Sequence, residues 1–259
     1  MIRTVTSLNG RDQSVCSHYR LREDVVLIVA GDGSGRLLDL SGDVLAISQS
    51  GVRMLECALS RDIQDAPRTL SLAYNVDEAR IRSDLMAFLA SLNERRLLVM
   101  PGRDVHPALT IVTVLSWLMA PAIFVCKFMP RRLISAKAYF LLAMAFVSTH
   151  VFGWANAVCV WQWVAGPSPG RTPDGAREAL DAIDTKVARA LATHPLSVGC
   201  KERALCCHIL ARAAGAESRV IVGIDLLPFA LHCWCESDAR ILADSVGSSD
   251  RFTPVLTYF

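Results

Sequence analysis

Two long uncharged runs in the middle of the sequence constrain the fold of this chain more than any other feature. Residues 108–126 contain no charged residue, although Pro121 interrupts them, and residues 138–165 are uncharged throughout. The sequence is 52% hydrophobic, and this segment carries the excess. Each run is long enough to cross a bilayer, since about 20 apolar helical residues span the hydrocarbon core. The fold must therefore place these helices in a membrane or cover them with protein.

The charges between the two runs help to distinguish helices that cross a membrane from helices that are covered by protein. The linker contains Lys127, Arg131, Arg132 and Lys137, and basic loops tend to stay on the cytoplasmic side. A membrane hairpin would then put both flanking domains outside. The nine scattered cysteines, an odd number, instead fit free thiols in a reducing cytoplasm. We therefore favour buried or interfacial helices over 105–170 that contact a membrane or an exporter, with the hairpin as the alternative.

Residues 21–104 show the pattern of a small independent domain. Short strands are predicted at 25–30, 36–40 and 44–48, and three helical periods follow. Asn75 or Asp77 can cap the third helix. The glycine run between the first two strands predicts a turn, because a phosphate loop would precede a helix. The formal charge of +2 and the balanced charges of the third helix argue against a nucleic-acid partner.

The C-terminal part, 171–259, begins after a proline-rich and glycine-rich boundary near 167–170. A helix is predicted over 174–192 and a very apolar helix over about 201–214. Strands at 219–224, 229–236 and 240–243 follow. Together with residues 1–20, expected to be an N-terminal tail, these patterns predict an α+β chain. The first residues show no secretory signal, so we expect a cytoplasmic protein, with membrane association through the apolar runs as a further expectation.

Three residues of this last part suggest nucleophilic catalysis. Cys200 opens the apolar helix, where free N–H groups and the macrodipole favour a thiolate. Strand alternation places His232 on the face opposite its two cysteine neighbours. After a turn, Asp244 returns close to His232 along the next strand. An imidazole can take the thiol proton and return it to a leaving amine while a carboxylate fixes its tautomer.

A zinc site is the strongest rival within this part of the chain. The potential ligands are Cys206, Cys207, His208, His232, Cys233 and Cys235. Their spacing argues against zinc, because neighbouring residues of a helix point about 100° apart and structural zinc usually takes Cys-x-x-Cys pairs from loops.

Several segments resemble a known family. Residues 200–205, 220–224, 228–236, 243–245 and 251–254 resemble the transglutaminase-like leader peptidases of lasso-peptide biosynthesis. In that family the cysteine that opens the helix, the histidine before x-Trp-x-Glu and the aspartate after the next strand form the triad. Cys200, His232 and Asp244 match these positions. Residues 21–100 are similar to the winged-helix recognition element of ribosomal peptide pathways. The two apolar runs exceed the short apolar lead-in of the family.

The resemblance implies a winged-helix recognition domain, an apolar helical segment and a transglutaminase-like, papain-like peptidase domain. It implies an ATP-independent cysteine protease that removes the leader of a lasso precursor before a partner, an asparagine-synthetase-like cyclase, closes the macrolactam. No cofactor is expected, because the chain shows no phosphate-binding signature and ATP chemistry would belong to the cyclase. A leader-binding scaffold, an acyl transferase and a zinc-dependent hydrolase remain as alternatives.

The recognition domain also suggests how a leader would bind. The third strand precedes the helices and is expected at a sheet edge, where an extended peptide can add as a further strand. The residues expected to bind the leader are Val44, Leu45, Ala46 and Ile47 in this strand and Arg80, Ser83 and Asp84 on the helix over 77–95.

Overall fold

The structure is a computed structural model that describes residues 3–6, 19–22, 24–40, 43–100, 107–167, 176–226, 229–244 and 247–258. The chain forms two compact units, Met1–His106 and Pro107–Phe259. Both units combine helices with antiparallel strands. The predicted α+β class is therefore confirmed.

The first unit contains a four-stranded antiparallel sheet. Its strands are β1 (Arg3–Thr6), β3 (Val25–Val29), β4 (Gly35–Asp39) and β5 (Val44–Ile47), in the order β1-β3-β4-β5. A small second sheet pairs β2 (Arg20–Leu21) with β6 (Leu98–Val99). The three strands of the predicted meander are confirmed, and Gly33 makes the β3–β4 turn with a φ of +83°. Strand β1, which lies in the expected N-terminal tail, was not predicted from the sequence.

Three helices cover this sheet, as the helical periods predicted: α1 (Gln49–Ser60), α2 (Ala66–Tyr74) and α3 (Glu78–Glu94). Their apolar faces share one core with the sheet, which includes Leu27, Leu55 and Leu85, all fully buried. Asp77 caps α3 by accepting the N–H of Arg80. Asn75 instead ends α2 in the left-handed conformation, with a φ of 52°. The structure thus chooses between the two predicted caps.

The second unit begins with helices and ends with a sheet. The helices are α4 (Pro107–Ser116), α5 (Ala120–Phe128), α6 (Ile134–Phe152), α7 (Trp154–Ala165), α8 (Ala176–Thr193) and α9 (Cys200–Ala213), with single 3₁₀ turns at Trp117–Met119 and Arg131–Leu133. The strands are β7 (Arg219–Leu226), β8 (Phe229–Ser237), β9 (Arg240–Leu242) and β10 (Thr253–Tyr258), in the order β10-β7-β8-β9. Strand β10 was not predicted from the sequence.

The helices of the apolar segment lie in this second unit. Two stretches, Ile111–Phe128 and Ile134–Phe152, are long and apolar enough to cross a membrane, with mean hydropathies of 1.9 and 1.4. However, α6 packs between α8 and α9, with Leu141, Leu142 and Ala145 completely buried. Trp161 of α7 is also fully buried and donates its indole N–H to Ser148 of α6. One side of each of these two helices therefore belongs to the core of the unit, while Phe140, Val151 and Trp163 are exposed on their other sides.

Two lysines of the basic linker point inward. Lys127 Nζ donates to the carbonyls of Val164 and Ala165, at distances of 2.9 and 2.8 Å. Lys137, buried at 4% exposure, donates to the carbonyls of Lys127 and Met129. Each ammonium group thus binds the last carbonyls of a helix, where positive charge is favourable. These bonds fix α5 and α6 to their neighbours.

Candidate active site

Cys200 is the first residue of α9, and the start of that helix is held in place by a buried carboxylate. Glu202, 4% exposed, accepts the N–H of Gly199 at 2.8 Å. Its other oxygen accepts the hydroxyl of Thr149 on α6 at 2.5 Å. The turn that carries the thiol is therefore anchored to a core helix. Free backbone N–H groups at a helix start also favour a thiolate there.

His232 and Asp244 lie side by side, with His232 Nε2 2.6 Å from Asp244 Oδ2. The side chain of Asp244 is only 3% exposed. Its second oxygen, Oδ1, lies 2.9 Å from Nη2 of Arg203, which sits one turn after Cys200 on α9. The carboxylate is thus fixed by two charge-assisted contacts. Because Nε2 is engaged by Asp244, the other ring nitrogen, Nδ1, is the one left to interact with Cys200.

The surroundings shift the ionisation of Cys200 and His232 in opposite directions. Burial is the largest influence on Cys200 and raises its pKa, but hydrogen bonds from His232 and the Cys233 N–H, with the charges of His232 and Arg203, give a net lowered pKa. For His232 the hydrogen bond with Cys200 raises the pKa most, burial lowers it, Asp244 raises it, and the net pKa is raised. Together these shifts favour a thiolate–imidazolium pair, the reactive form of a cysteine nucleophile.

The neighbouring cysteines behave as core residues. Burial raises the pKa of Cys207 to about 12 and raises the pKa values of Cys206, Cys233 and Cys235 well above their ordinary range. All four side chains are fully buried. Among the described cysteines whose pKa is shifted, only Cys200 is shifted downward. Cys200 is therefore the thiol best suited to act as a nucleophile.

The side chains weighed as zinc ligands point toward different neighbours. Cys206 Sγ contacts the carbonyl of Ala138 at 3.7 Å, and Cys207 Sγ contacts that of Leu242 at 3.8 Å. His208 is bonded to Ser218 through Nδ1 at 2.9 Å. Within the described parts of the chain, no three His, Cys, Asp or Glu side chains are grouped so that they could hold a metal ion.

An aromatic wall supports the imidazole. The ring centroid of His232 lies 5.0 Å from that of Phe252 and 5.9 Å from that of Trp234. Gly223 pairs with His232 across the β7–β8 ladder. A Cβ atom at Gly223 would lie 2.7 Å from the Trp234 ring and 3.0 Å from Phe252 Cβ. Only glycine therefore lets the two aromatic rings close over β7 beside His232.

A second carboxylate fixes the backbone next to Asp244. Asp184 on α8 accepts the N–H of Ala243 at 2.5 Å. Ala243 has a φ of 52°, in the left-handed region that non-glycine residues seldom adopt. The bond from α8 thus holds the turn that aims Asp244 at His232. Arg203, Asp184 and Gly223 were not predicted as site residues from the sequence. Only Arg203 gave a signal, because it lies three residues after Cys200 and hence on the same side of the helix.

A cleft of about 430 Å³ opens beside the imidazole. It is lined by Ala230, Leu231, His232, Gly247, Ser248, Arg251 and Phe252. Its walls are mixed, with apolar side chains and the charged Arg251. The imidazole of His232 is therefore accessible from this cleft.

The first unit contains the residues expected to bind a leader, and β5 lies at the edge of its sheet as predicted. The backbone N–H of Leu40 donates to the carbonyl oxygen of Asp24, on the β3 side of β4. The backbone N–H of Asp39 donates to the carbonyl oxygen of Asp43, on the β5 side. Because successive residues of an antiparallel strand direct their polar groups to opposite sides, the odd-numbered residues of β4 bond β5. The register pairs Leu37 with Leu45 and Gly35 with Ile47.

This alternation determines which residues of β5 have N–H and C=O groups that are not bonded to β4. Leu45 and Ile47 are bonded to β4, and their side chains pack on the core. Val44 and Ala46 direct N–H and C=O away from the sheet, and their side chains are exposed. Two of the four predicted strand residues therefore offer an edge to which a peptide could pair.

The three predicted residues of α3 are all exposed but do not share one face. Arg80, Asp84 and Phe88 repeat every four residues and so lie along one side. Phe88 lies on the side of α3 that faces the start of α1, the helix that follows β5, since its Cζ lies 3.6 Å from the position of a Cβ at Gly51. Ser83 lies farther round the helix. Arg80 and Asp84 are thus the better placed of the three.

Comparison with known protein families agrees with this two-part arrangement. Residues 144–257 match the transglutaminase-like superfamily. The C-terminal region is a transglutaminase-like domain. Residues 25–98 match coenzyme PQQ synthesis protein D, PqqD, which supports a precursor-recognition element in the first unit. No curated protein and no solved structure matches the chain. The superfamily match begins inside α6, so the later apolar helices belong to the matched region.

Proposed function

We propose that this chain is a cysteine peptidase that removes the leader from a ribosomally made precursor peptide. The observation that carries the proposal is the lowered pKa of Cys200 beside a His232–Asp244 pair, in a chain that also contains a PqqD region. The family resemblance of the active-site segments makes a lasso precursor the expected substrate. An asparagine-synthetase-like cyclase in the cytoplasm would then receive the product.

The reaction follows from the geometry of the three side chains. The Cys200 thiolate attacks the scissile carbonyl, and the C–N bond breaks as His232 Nδ1 gives its proton to the leaving amine, the new N-terminus of the core peptide. The leader remains on Cys200 as a thioester. His232 then takes a proton from water, whose oxygen attacks the thioester and releases the leader as a carboxylate. Asp244 and Arg203 hold the imidazole in the required tautomer throughout.

The decisive test uses a lasso precursor peptide as substrate and mass spectrometry of the products. Cys200→Ala is expected to abolish cleavage while binding the leader with unchanged affinity, because the thiol lies in the second unit. Cys207→Ala is the matched control, since that thiol is buried and its pKa is raised. Cleavage by the Cys200→Ala enzyme at a rate near that of the wild type would refute the assignment.

The same assay distinguishes the alternatives. A leader-binding scaffold would bind the precursor but give no cleaved product with the wild-type enzyme. An acyl transferase would yield an amide of the leader when a small amine is added, whereas a hydrolase in ¹⁸O-labelled water yields a labelled leader carboxylate. A zinc-dependent hydrolase would lose activity with a chelator and resist iodoacetamide.

Leader capture is proposed to occur at the free edge of β5, with Arg80 and Asp84 on α3 as polar contacts. Ala46→Pro removes one outward N–H without removing a bond to β4, a position that an edge strand tolerates. We expect roughly a two- to tenfold weaker leader affinity, because a hydrogen bond contributes about 0.5–1.5 kcal/mol. Fluorescence anisotropy with a labelled leader peptide measures this change.

The matched control is Ala46→Val, which keeps the N–H group. The two proteins should have similar melting temperatures and similar rates of Cys200 alkylation. Equal leader affinity for the Pro and Val variants would contradict pairing at Ala46 and direct attention to α3.

A further inference from the structure

The helical stretch formed by α4, the Trp117–Met119 turn and α5 has two apolar sides. Its inward side is buried and contains Ser116, Ala120, Ile123 and Cys126. The opposite side repeats at helical intervals of three, four or seven residues and is between 60 and 70% exposed at Ile111, Val114, Leu118, Val125 and Phe128. We call these five residues the outward stripe. The exposed side chains of Leu115 and Phe124 flank the stripe and widen it.

A helix on the surface of a soluble domain normally presents polar residues to water. Exposed apolar patches of this kind mark surfaces that meet a membrane or another protein. The outward stripe therefore needs an apolar partner outside the second unit.

The charges around the stripe indicate the partner. Between Asp104 and Asp174 the sequence has no aspartate or glutamate and has five basic residues, Lys127, Arg131, Arg132, Lys137 and Arg171. Lys127 and Lys137 are turned inward, while Arg131 and Arg132 follow the end of the stripe directly and Arg132 is exposed. A protein interface commonly has a polar rim of both signs. An apolar surface with the exposed Arg132 near its end matches an anionic lipid surface.

An exposed tryptophan adds to this match. Trp163 of α7 is 61% exposed and packs edge-on against Trp117, with ring centroids 5.3 Å apart. Tryptophan is enriched where protein meets the boundary between lipid headgroups and acyl chains. We propose that the outward stripe, with Trp163 and Arg132, docks the second unit on an anionic bilayer surface.

The geometry favours helices that lie on the bilayer over helices that cross it. The α4 and α5 helices have 10 and 9 residues, and a 3₁₀ turn separates them. Their inward side packs on α6 and α7, and Lys127 bonds α5 to the end of α7. A crossing segment would have to leave these contacts. Docking leaves them intact and buries only the side that is already exposed.

The test is sedimentation of the full-length protein with vesicles. We expect binding to vesicles that contain phosphatidylglycerol and weaker binding to phosphatidylcholine alone. The double variant Leu118→Glu/Val125→Glu should bind at least about tenfold more weakly, since it places two charges in the stripe. Leu72→Glu/Met86→Glu, at two exposed apolar positions of the first unit, is the matched control and should bind as the wild type does. Arg132→Glu should reduce binding to the anionic vesicles.

Equal rates of Cys200 alkylation in all variants establish that the second unit is intact. Release of the vesicle-bound protein by alkaline carbonate supports docking, while retention would overturn it in favour of crossing helices. Absence of vesicle binding, or wild-type binding by the Leu118→Glu/Val125→Glu protein, would also overturn it. So would a dimer of the wild type in the absence of lipid that the double variant abolishes, because a second copy would then cover the stripe.

Discussion

The replacement of Asp244 by asparagine tests the proposed mechanism most sharply, because Arg203 dictates how the new amide must lie. Arg203 can only donate hydrogen bonds, so it would hold the amide oxygen at the place of Oδ1, 2.9 Å from Nη2. The amide NH₂ would then face His232 Nε2, 2.6 Å from the former Oδ2. Nε2 must accept this bond, so the proton of the neutral imidazole moves to Nδ1, the nitrogen that faces Cys200.

An imidazole in this tautomer cannot take the thiol proton. We expect Asp244→Asn to lower kcat by about 10⁴-fold, the loss seen when a serine triad is held in the wrong tautomer. This loss corresponds to about 5.4 kcal/mol of transition-state stabilisation. The assay is single-turnover cleavage of the precursor, followed by mass spectrometry.

Removal of Arg203 provides a second test of the tautomer at His232. In the double variant Arg203→Met/Asp244→Asn the amide can turn over, so that its oxygen accepts from Nε2–H and the productive tautomer returns. The double variant should therefore cleave faster than Asp244→Asn alone, although Arg203→Met by itself is harmful. A double variant that is slower than Asp244→Asn, or a loss of tenfold or less in Asp244→Asn, would refute the tautomer argument.

Two further predictions concern the ionisation and the support of the site. Alkylation of Cys200 by iodoacetamide, mapped by mass spectrometry with exposed Cys159 as an internal reference, should rise with pH through a midpoint below 9.0, because the pKa is lowered. His232→Ala should move this midpoint upward, since burial then prevails, and an unchanged midpoint would contradict the pairing. Gly223→Ala should cost about 1–3 kcal/mol in unfolding free energy through overpacking and reduce kcat at least tenfold, whereas Ile224→Val should reduce stability with little effect on kcat.

The parts of the site that could be predicted are those linked by local sequence. His232 and Asp244 are 12 residues apart and joined by a tight hairpin, so alternation and turn chemistry sufficed to bring them together. Cys200 was predicted from its place at the start of a helix. In the two four-stranded sheets, the strands whose apolar and polar residues alternate, or that follow clear turns, were also predicted.

The parts that could not be predicted depend on packing between distant segments. Asp184 reaches Ala243 from 59 residues away, and no pattern around Asp184 indicates this bond. Gly223 is one glycine inside a strand, and its role becomes visible only when Trp234 and Phe252 lie against it. Strand β10 was missed because it contains Pro254, which cannot donate to the ladder, and the register shifts beside that residue.

The apolar middle of the chain is explained by two different physical causes. The later part, α6 and α7, supplies core to the second unit and reaches the site through Thr149, whose bond to Glu202 fixes the turn before Cys200. The side of these helices that faces α8 and α9 is buried, which accounts for part of their apolar length, whereas Phe140, Val151 and Trp163 stay exposed. The earlier part, α4 and α5, keeps an apolar side exposed. Its lysine, Lys127, points inward and bonds to the end of α7. The same composition thus supplies core on the inward sides of these helices and leaves apolar side chains exposed on their outer sides, a distinction that only the burial of each helix face shows.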